Sequence, residues 1–306
     1  MNGFYAKTRL LLIGAVCNVA VARGSMAYEP PTSTPSTPAV PARPASVATP
    51  STPPTPAAAP PAIAPNNALG IQPAAPGEHP LAPSIRWAKA AIGDIAKIKD
   101  YSATLVKREQ IDGVLNEHEY LFVKIRQQPF SVYTYFLGPK KVKGQEALYV
   151  DGKNNSELQA HGNGMTHKLI GTLSLNPTGP LAMTGSRYPI TQIGVMRLTE
   201  RLIEVGEADM KHGDCEVKVQ SAKINSRDCT CITLLHPEKR KEFLYHLARV
   251  YVDNEHKVPI RFEAYEWPRE PGGAPELVEE YTYLNLKLEN GYTDADFDAK
   301  NPNYKF

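Results

Sequence analysis

The alternation of apolar and polar positions is clearest between Tyr101 and Leu137, where it predicts three consecutive antiparallel strands. Asp112-Gly113 lies between two β-prone runs, and glycine accepts the positive φ that a tight hairpin turn requires. A second reversal is predicted at Gln127-Gln128-Pro129, because proline cannot donate a hydrogen bond to a central ladder. Since no helix separates the three strands, the segment is predicted to be a meander.

Period-two alternation divides the side chains of this meander between two faces. In the second strand, Leu121, Val123 and Ile125 share one face. The third strand divides into one set, Phe130, Val132, Thr134 and Phe136, and an opposing set, Ser131, Tyr133, Tyr135 and Leu137. Because neither face is cleanly polar, we expect the sheet to be covered on one side and partly shielded on the other.

Two segments have the periodicity of amphipathic helices. One runs from about Ile85 to Lys99, with Ser84 as the predicted N-cap, and the other from Pro189 to Asp209. Between them lies a long irregular stretch, from His161 to Tyr188, that is rich in glycine and proline. A loop of this length is typical of a functional segment or a covering lid.

The rest of the chain is predicted to form further strands. They are Gln145–Val150, Glu157–Ala160, Glu216–Ala222, Cys229–His236, Glu242–Val252, Val258–Tyr265 and Leu277–Leu288. About ten strands and two helices result, and strands do not alternate with helices. The pattern therefore predicts an α+β fold with an antiparallel sheet rather than a doubly wound parallel sheet.

Composition divides the 306 residues unevenly. Residues 1–27 have the layout of a secretory signal peptide: Lys7 and Arg9, an apolar run from Leu10 to Val21, and then small residues. The apolar run is shorter than the roughly 20 residues that a membrane-spanning helix needs. Ser25-Met26-Ala27 favours cleavage before Tyr28, so we expect an exported protein of the periplasm or cell envelope.

Lipidation at Cys17 is the alternative to soluble export. The segment Gly14-Ala15-Val16-Cys17 makes a poor lipidation signal, because valine occupies the position before the cysteine where a small residue is wanted. Soluble export is therefore favoured over a lipid anchor.

Residues 28–83 hold 17 of the 28 prolines of the chain, and no charged residue occurs between Arg43 and Glu78. Such a segment buries too little apolar surface to offset its ordering entropy, which predicts a disordered linker. The segment is interpreted either as a spacer or glycosylated stalk, or as a disordered tail without a specific role. Residues 84–306 are predicted to form a single domain.

The charge balance argues against a nucleic-acid partner. Residues 1–27 contain three basic residues, and the rest of the chain has 31 basic and 32 acidic residues. No run of lysine and arginine has the length of a nucleic-acid patch. The sequence also contains no Gly-x-Ser-x-Gly elbow, phosphate loop, dinucleotide fingerprint or His-Glu-x-x-His motif, so no catalytic residue and no cofactor are predicted.

Three cysteines remain after export, and an oxidising compartment permits one disulfide. The candidate pairing is Cys215 with Cys229 or Cys231, the alternative being buried thiols. Because Cys229 and Cys231 are expected opposite about 222 and 220, the disulfide requires Cys215 to lie in a loop that folds back.

Metal binding is not predicted. The two thiols of Cys-Thr-Cys are closer in sequence than zinc sites usually place them, even with His212 and His236 nearby. Asp294, Asp296 and Asp298 alternate as at the start of a calcium loop, but Ala299 stands where that loop needs glycine.

Four runs of the sequence resemble a bacterial family, domain-of-unknown-function family 1571. They are DYSATLVKREQIDG, KVKGQEALYVDGKN, RYPITQIGVMRLTERLIE and YTYLNLKLENGYTDADFDAKNP, and the resemblance covers residues 84–306. That family is similar in layout to lipoprotein-sorting carriers of the LolA and LolB type. The resemblance implies a strongly curved antiparallel sheet, a half-barrel, with helices packed in its concave face.

The same resemblance implies that the concave face shelters acyl chains. Its candidate lining residues are Phe122, Phe130, Val132, Tyr133 and Tyr135, which would otherwise be ordinary core.

We therefore expect a non-enzymatic domain that binds a hydrophobic ligand, a lipid or an acylated protein, close to a membrane. The alternative is a structural or protein-interaction module without a ligand cavity, tethered by the linker. An enzyme would require a cluster of polar residues in the irregular stretch from His161 to Tyr188.

Overall fold

A computed structural model describes residues 67–163, 171–213 and 215–306. The predicted signal peptide, Cys17 and most of the predicted linker lie outside these ranges. The two helices are α1 (Ala82–Ile95) and α2 (Val195–Asp209). The strands in the described ranges are β1 (Asp100–Ile111), β2 (Val114–Leu115), β3 (Glu119–Arg126), β4 (Ser131–Gly138), β5 (Glu146–Val150), β6 (Leu158–His161), β7 (Thr172–Leu175), β8 (Glu216–Ile224), β9 (Arg227–Leu235), β10 (Leu247–Asp253), β11 (Pro259–Glu266) and β12 (Glu276–Leu288).

All strands belong to one antiparallel sheet, in the order β7-β6-β5-β4-β3-β1-β12-β11-β10-β9-β8, with β2 paired to β1. The sheet is strongly curved but does not close, so β7 and β8 are its two edges. The predicted α+β architecture is confirmed, and so is the meander, in which β1, β3 and β4 are neighbours. Asp112 and Gly113 both have positive φ, as the predicted hairpin turn requires.

Several boundaries differ from the predicted ones. Helix α1 begins at Ala82 with proline in its first turn, and its N-cap is Leu81 rather than Ser84. Strand β10 begins at Leu247 because residues 237–245 loop out of the sheet, and the backbone N–H of His236 donates directly to the carbonyl of His246. Strands β2 and β7 are additional, and β7 lies inside the stretch predicted to be irregular.

The folded domain begins before Ser84. Ile71 and Leu81 are both buried, and His79 Nε2 lies 3.0 Å from the carbonyl oxygen of Gly213. Ile71, His79 and Leu81 lie within the predicted linker of residues 28–83. A proline-rich segment can therefore contribute to a core when it carries isolated apolar residues and its backbone runs along the domain.

Helix α2 is attached to the centre of the sheet at its N-terminus. The first N–H groups of a helix have no partner within it, and α2 has no cap from a side chain of its own N-cap residue. Instead, the Val195 N–H donates to the Tyr101 hydroxyl (2.8 Å), and the Gly194 N–H donates to the Tyr283 hydroxyl (3.0 Å). The face of the sheet under α2 is called the helix-side face below.

The opposite face of the sheet, here called the outer face, is covered by residues 290–306, the C-terminal strap. The rings of Tyr133 and Tyr304 stack with centroids 3.9 Å apart. Phe297 is 3% exposed and packs with Leu148 and Val150. The strap is also held by charge, because Arg126 donates to Asp294 at 2.8 Å. Each face of the sheet is therefore covered over part of its area, and by a different part of the chain.

Within the described ranges, no helix is both long enough and apolar enough to cross a bilayer.

Replacing Phe297 by alanine should lower the free energy of unfolding by about 3–5 kcal/mol, because a buried ring is removed from under the strap. Urea denaturation measures the loss. Val114→Ala is the control, since that side chain is 65% exposed and its removal should change stability by about 0.5 kcal/mol at most. Equal losses in the two variants would mean that the strap does not stabilise the sheet.

Candidate functional site

The helix-side face carries continuous apolar rows across the strands. Residues that pair directly across an antiparallel ladder share a face, so the register defines each row. One row consists of Ala103, Val123, Thr134, Ala147, Ala160 and Leu173. The next consists of Tyr101, Ile125, Val132 and Tyr149, and the pair Leu158 and Leu175 lies on the same face. The polar groups in these rows are the Thr134 hydroxyl and the phenol hydroxyls of Tyr101 and Tyr149, and the other side chains are apolar.

The inner part of this face is a packed core. Val123 and Val132 are both fully buried, as is Val195 at the start of α2. Ile190, Ile193 and Met196 complete the cover over β1, β3 and β4. Among the described residues, no member of this cluster comes from β5, β6 or β7. The rows thus extend beyond the region that α2 covers.

The helix-side face of β5, β6 and β7 is called the outer wing below. Its side chains are apolar, but several are only half-buried, namely Ala147, Ala160, Leu173 and Leu175. Tyr149 and Leu158 are buried beside them. The outer wing therefore presents apolar surface that the helices do not cover.

Residues 176–189, here called the crossing loop, lead from the end of β7 to β1 and β12. The loop leaves β7 at the edge of the sheet, and at its far end Arg187 Nε lies 2.9 Å from Glu279 Oε2 on β12. Strands β7 and β12 are six places apart in the sheet, about 29 Å at roughly 4.8 Å per strand. Glu109 is an even number of residues from Ala103 on β1, so its side chain is on the helix-side face. Glu279 pairs with Glu109 in the register, and the loop therefore reaches the sheet on that face.

Three consecutive residues anchor the far end of the crossing loop. Ser186 accepts from Lys107 Nζ at 3.4 Å, and Arg187 Nη1 donates to the carbonyl of Gln110 at 3.0 Å. Tyr188 donates to Glu279 at 3.0 Å. The middle of the loop is held by bonds among its own residues, and Leu181 there is 62% exposed.

Glu279 is the centre of this anchor. It is fully buried and forms an ion pair with Arg187, and besides the Tyr188 hydrogen bond it accepts hydrogen bonds from Tyr245 (2.5 Å) and Tyr281 (3.3 Å). The Tyr281 hydroxyl also bonds Glu109, which accepts from Lys107 at 2.9 Å. The group forms one connected network of carboxylates, phenols and two cations at the end of the apolar rows.

The network keeps its phenols protonated and its cations charged. Burial raises the pKa of Tyr188 to about 12, and burial raises the pKa of Tyr281 well above its ordinary value. Burial alone would lower the pKa of Arg187, but the Glu279 carboxylate together with Tyr188 and Tyr245 more than offsets it, and the pKa of Arg187 rises. At neutral pH the phenols therefore donate hydrogen bonds to Glu279 or Glu109 and Arg187 stays ion-paired with Glu279, which makes the anchor a fixed structure rather than a proton-transfer site.

An open pocket of about 280 Å³ lies beside this anchor. Its lining residues are Gln110, Ile111, Asp112, Arg187 and Tyr188. Asp112 and Arg187 give it one charge of each sign, and Arg187 is already paired with Glu279. The pocket has no activated nucleophile and no pair of free carboxylates.

The structure divides the predicted lining residues between the two faces. Phe130 and Val132 are on the helix-side face, in the core under α2. Phe122, Tyr133 and Tyr135 are on the outer face, under the C-terminal strap. The five residues therefore do not line one cavity. The outer wing was missed because alanines give a weak apolar signal and β7 was not predicted.

The predicted disulfide between Cys215 and Cys229 or Cys231 is not formed. Cys229 pairs with Ala222 and Cys231 with Gln220 in the register, as the sequence predicts. Cys215 precedes β8 and packs with Leu81 and Ile85, so it does not fold back toward the other two. All three are buried thiols, and burial raises the pKa of Cys229 to about 11.

The acidic residues of the C-terminal strap are ion-pair partners. Asp294 bonds Arg126 and Asp296 bonds Lys124 at 3.2 Å. Asp253, Glu255 and His256 come close enough together to hold a metal ion, but Arg227 already donates to both oxygens of Asp253. Neither group offers a free set of ligands.

The domain described above matches a known family along most of its length. A family model described as "Protein of unknown function (DUF1571)" matches residues 98–306. The chain belongs to this family. No curated protein matches the sequence significantly.

Several solved structures are similar to this DUF1571 chain at low identity. The lipoprotein LppX of Mycobacterium tuberculosis has a TM-score of 0.40 and 13% identity, covering 71% of this chain and 99% of that one. A putative outer membrane lipoprotein-sorting domain from Vibrio parahaemolyticus has a TM-score of 0.32 and 15% identity, covering 69% and 97%. A LolA superfamily protein from Nitrosomonas europaea has a TM-score of 0.29 and 12% identity, covering 69% and 97%.

Replacing Glu279 by glutamine in this DUF1571 domain should lower the free energy of unfolding by about 3 kcal/mol. The amide leaves Arg187 without its counter-ion and turns one acceptor oxygen into a donor that faces other donors. Urea denaturation measures the change. Glu204→Gln is the matched control, because its side chain is 71% exposed and pairs only with Arg201 on the same helix, so its loss should be about 0.5 kcal/mol or less. Similar losses in both variants would contradict the role of Glu279.

Proposed function

We propose that this domain is a non-enzymatic binding domain of the cell envelope that takes the acyl chain of a lipid or an acylated protein on the outer wing. The observation that carries the proposal is the continuation of the apolar rows past α2, onto Ala147, Ala160 and Leu173. The envelope location is supported by the layout of residues 1–27 as an export signal.

The apolar character of the outer wing selects an acyl chain over a polar ligand. Each buried methylene contributes about 0.8 kcal/mol, so a chain of about ten methylenes would gain about 8 kcal/mol if fully buried. A chain lying on an open sheet buries about half of its surface, and the corresponding 4 kcal/mol gives a Kd of only about 1 mM. Tighter binding requires a second wall.

The crossing loop supplies that second wall. It spans the sheet from β7 to β12 on the helix-side face, and its anchor at Ser186, Arg187 and Tyr188 keeps one end fixed. Its exposed Leu181 is an apolar side chain that closure over a ligand would bury. The proposed site therefore lies between the outer wing and the crossing loop, and the anchored network limits how far the loop opens.

A fluorescent fatty-acid probe tests the proposal directly. Titration of the chain without the predicted signal peptide, residues 28–306, with a dansyl-labelled fatty acid should show saturable binding. Leu173→Asp should weaken binding by at least about tenfold, or about 1.4 kcal/mol, since it places a charge in the apolar row and removes apolar surface that the acyl chain would cover.

The control is Ser174→Asp. Ser174 is the next residue on β7, is exposed and points to the opposite face, so this substitution adds the same charge to the same strand without entering the outer wing. Its Kd should equal that of the unmodified chain. Circular dichroism of both variants checks that the edge strand still forms.

A second candidate is supported by the packing under α2. Because Val123, Val132 and Val195 are fully buried, the inner helix-side face is core, as a structural or protein-interaction module would have it. That candidate predicts no saturable binding of the probe, or equal binding by Leu173→Asp and Ser174→Asp. Either result would overturn the acyl-binding proposal.

A further inference from the structure

A buried acid–base pair joins the end of α2 to the sheet, far from the outer wing. Asp209 is the last residue of α2 and is 4% exposed, and His236, which follows β9, is 2% exposed. Asp209 Oδ2 lies 3.6 Å from His236 Nε2. That nitrogen has no hydrogen-bond partner among the described residues, and the Phe243 ring stacks on the imidazole at 3.8 Å.

The hydrogen bonds of His236 determine where its proton lies. Its Nδ1 is 2.9 Å from the carbonyl oxygen of Tyr245. A carbonyl only accepts, so Nδ1 carries the hydrogen, and a neutral ring then presents a lone pair at Nε2. An ionised Asp209 also offers only acceptor oxygens. Without one further proton, two acceptors would face each other in a buried space.

We propose that Asp209 and His236 share one proton, and that this proton fastens the C-terminal turn of α2 to the sheet, so that its loss at higher pH loosens the turn. The same turn packs on α1. A Cβ added at Gly206 would lie 2.5 Å from Ile85 Cδ1, so the two helices are in close contact there. Loosening the turn therefore affects the α1–α2 contact as well.

Three titratable or charged groups of the described residues lie near the pair, and one of them, His79, lowers the pKa of Asp209 by less than burial raises it. His79 reaches it from the segment before α1, with Nε2 held by the carbonyl of Gly213 at 3.0 Å. His246 reaches it from the start of β10, with Nδ1 donating to the carbonyl of His236 at 2.8 Å. Arg240 lies behind Phe243, 6.0 Å from that ring, and bonds the carbonyl of His212.

No lysine or arginine in the described ranges forms an ion pair with Asp209. The carbonyl end of α2 also disfavours a carboxylate at this position, since the helix dipole is negative there. The charged form of Asp209 is thus buried without a lysine or arginine partner in the described ranges, and the favourable effect of His79 on it is smaller than the cost of burial.

The direction of the pH dependence follows from burial. Burial raises the pKa of Asp209 to about 6, whereas an unfolded aspartate loses its proton near pH 4. Stability from the shared proton is therefore fully present below about pH 4 and is lost as the pH rises through about 6. Burial lowers the pKa of His236, so in this window Asp209 carries the proton and donates it to the neutral ring.

Native-state hydrogen exchange of the mature chain at pH 5 and pH 8, corrected for intrinsic rates, tests the proposal. The opening constant of the last turn of α2 should rise about tenfold between the two values. In Asp209→Asn the side-chain amide donates to His236 Nε2 at every pH. The opening constant of this variant should therefore be the same at pH 5 and at pH 8. Glu204→Gln, an exposed residue on the same helix that pairs with Arg201 of that helix, should retain the pH response of the unmodified chain.

Equal pH responses in the unmodified chain and Asp209→Asn would overturn the proposal. If that variant fails to fold, the carboxyl carbon resonance of Asp209 in the unmodified chain decides the question: a midpoint near pH 6 supports the shared proton, and one near pH 4 overturns it. The outcome is independent of what the outer wing binds, so a negative fatty-acid titration leaves this test unaffected.

Discussion

The position of α2 depends on two buried phenols in the middle of the sheet. Tyr101 on β1 and Tyr283 on the neighbouring β12 accept the N–H groups of Val195 and Gly194. Burial raises the pKa of both phenols, so neither ionises at physiological pH. Gly194 has φ 118°, and a Cβ there would lie 2.6 Å from the Tyr101 hydroxyl, so this junction requires glycine. The helix is thereby fixed over β1, β3 and β4.

The placement of α2 makes the two parts of the helix-side face different. The inner part is filled permanently, and its aromatic and aliphatic residues stabilise the fold. The outer wing lies beyond the helix, and the crossing loop that leaves it at β7 is fixed at its far end by Glu279. The same apolar rows are thus packed core at one place and lie beyond the cover of the helices at another.

The sequence predicts the partition of side chains between the faces but not what covers each face. Alternation correctly separates Val132 from Tyr133, because the period of a strand is a local property. It does not indicate that Tyr304 would stack on Tyr133, since that contact depends on where the chain returns after β12. The anchor at Glu279 was not predictable for the same reason: its partners come from the crossing loop and from the loop before β10.

Local register was predicted where a turn defines it. The positions opposite Cys229 and Cys231 are correct, because they follow from the turn between β8 and β9. The disulfide was wrong because Cys215 lies at the far end of that hairpin and packs under α1. Residues 71–83 were assigned to the linker because proline content outweighs two isolated apolar residues in a compositional argument.

The central claim is that the outer wing, and not the aromatic outer face, is the ligand surface. Paramagnetic broadening of backbone amide signals by a spin-labelled fatty acid tests it most directly. The account predicts broadening concentrated at Ala147, Ala160 and Leu173 and in the crossing loop. Broadening centred on Tyr133 and Tyr135 under the C-terminal strap, or none anywhere in the domain, would contradict it.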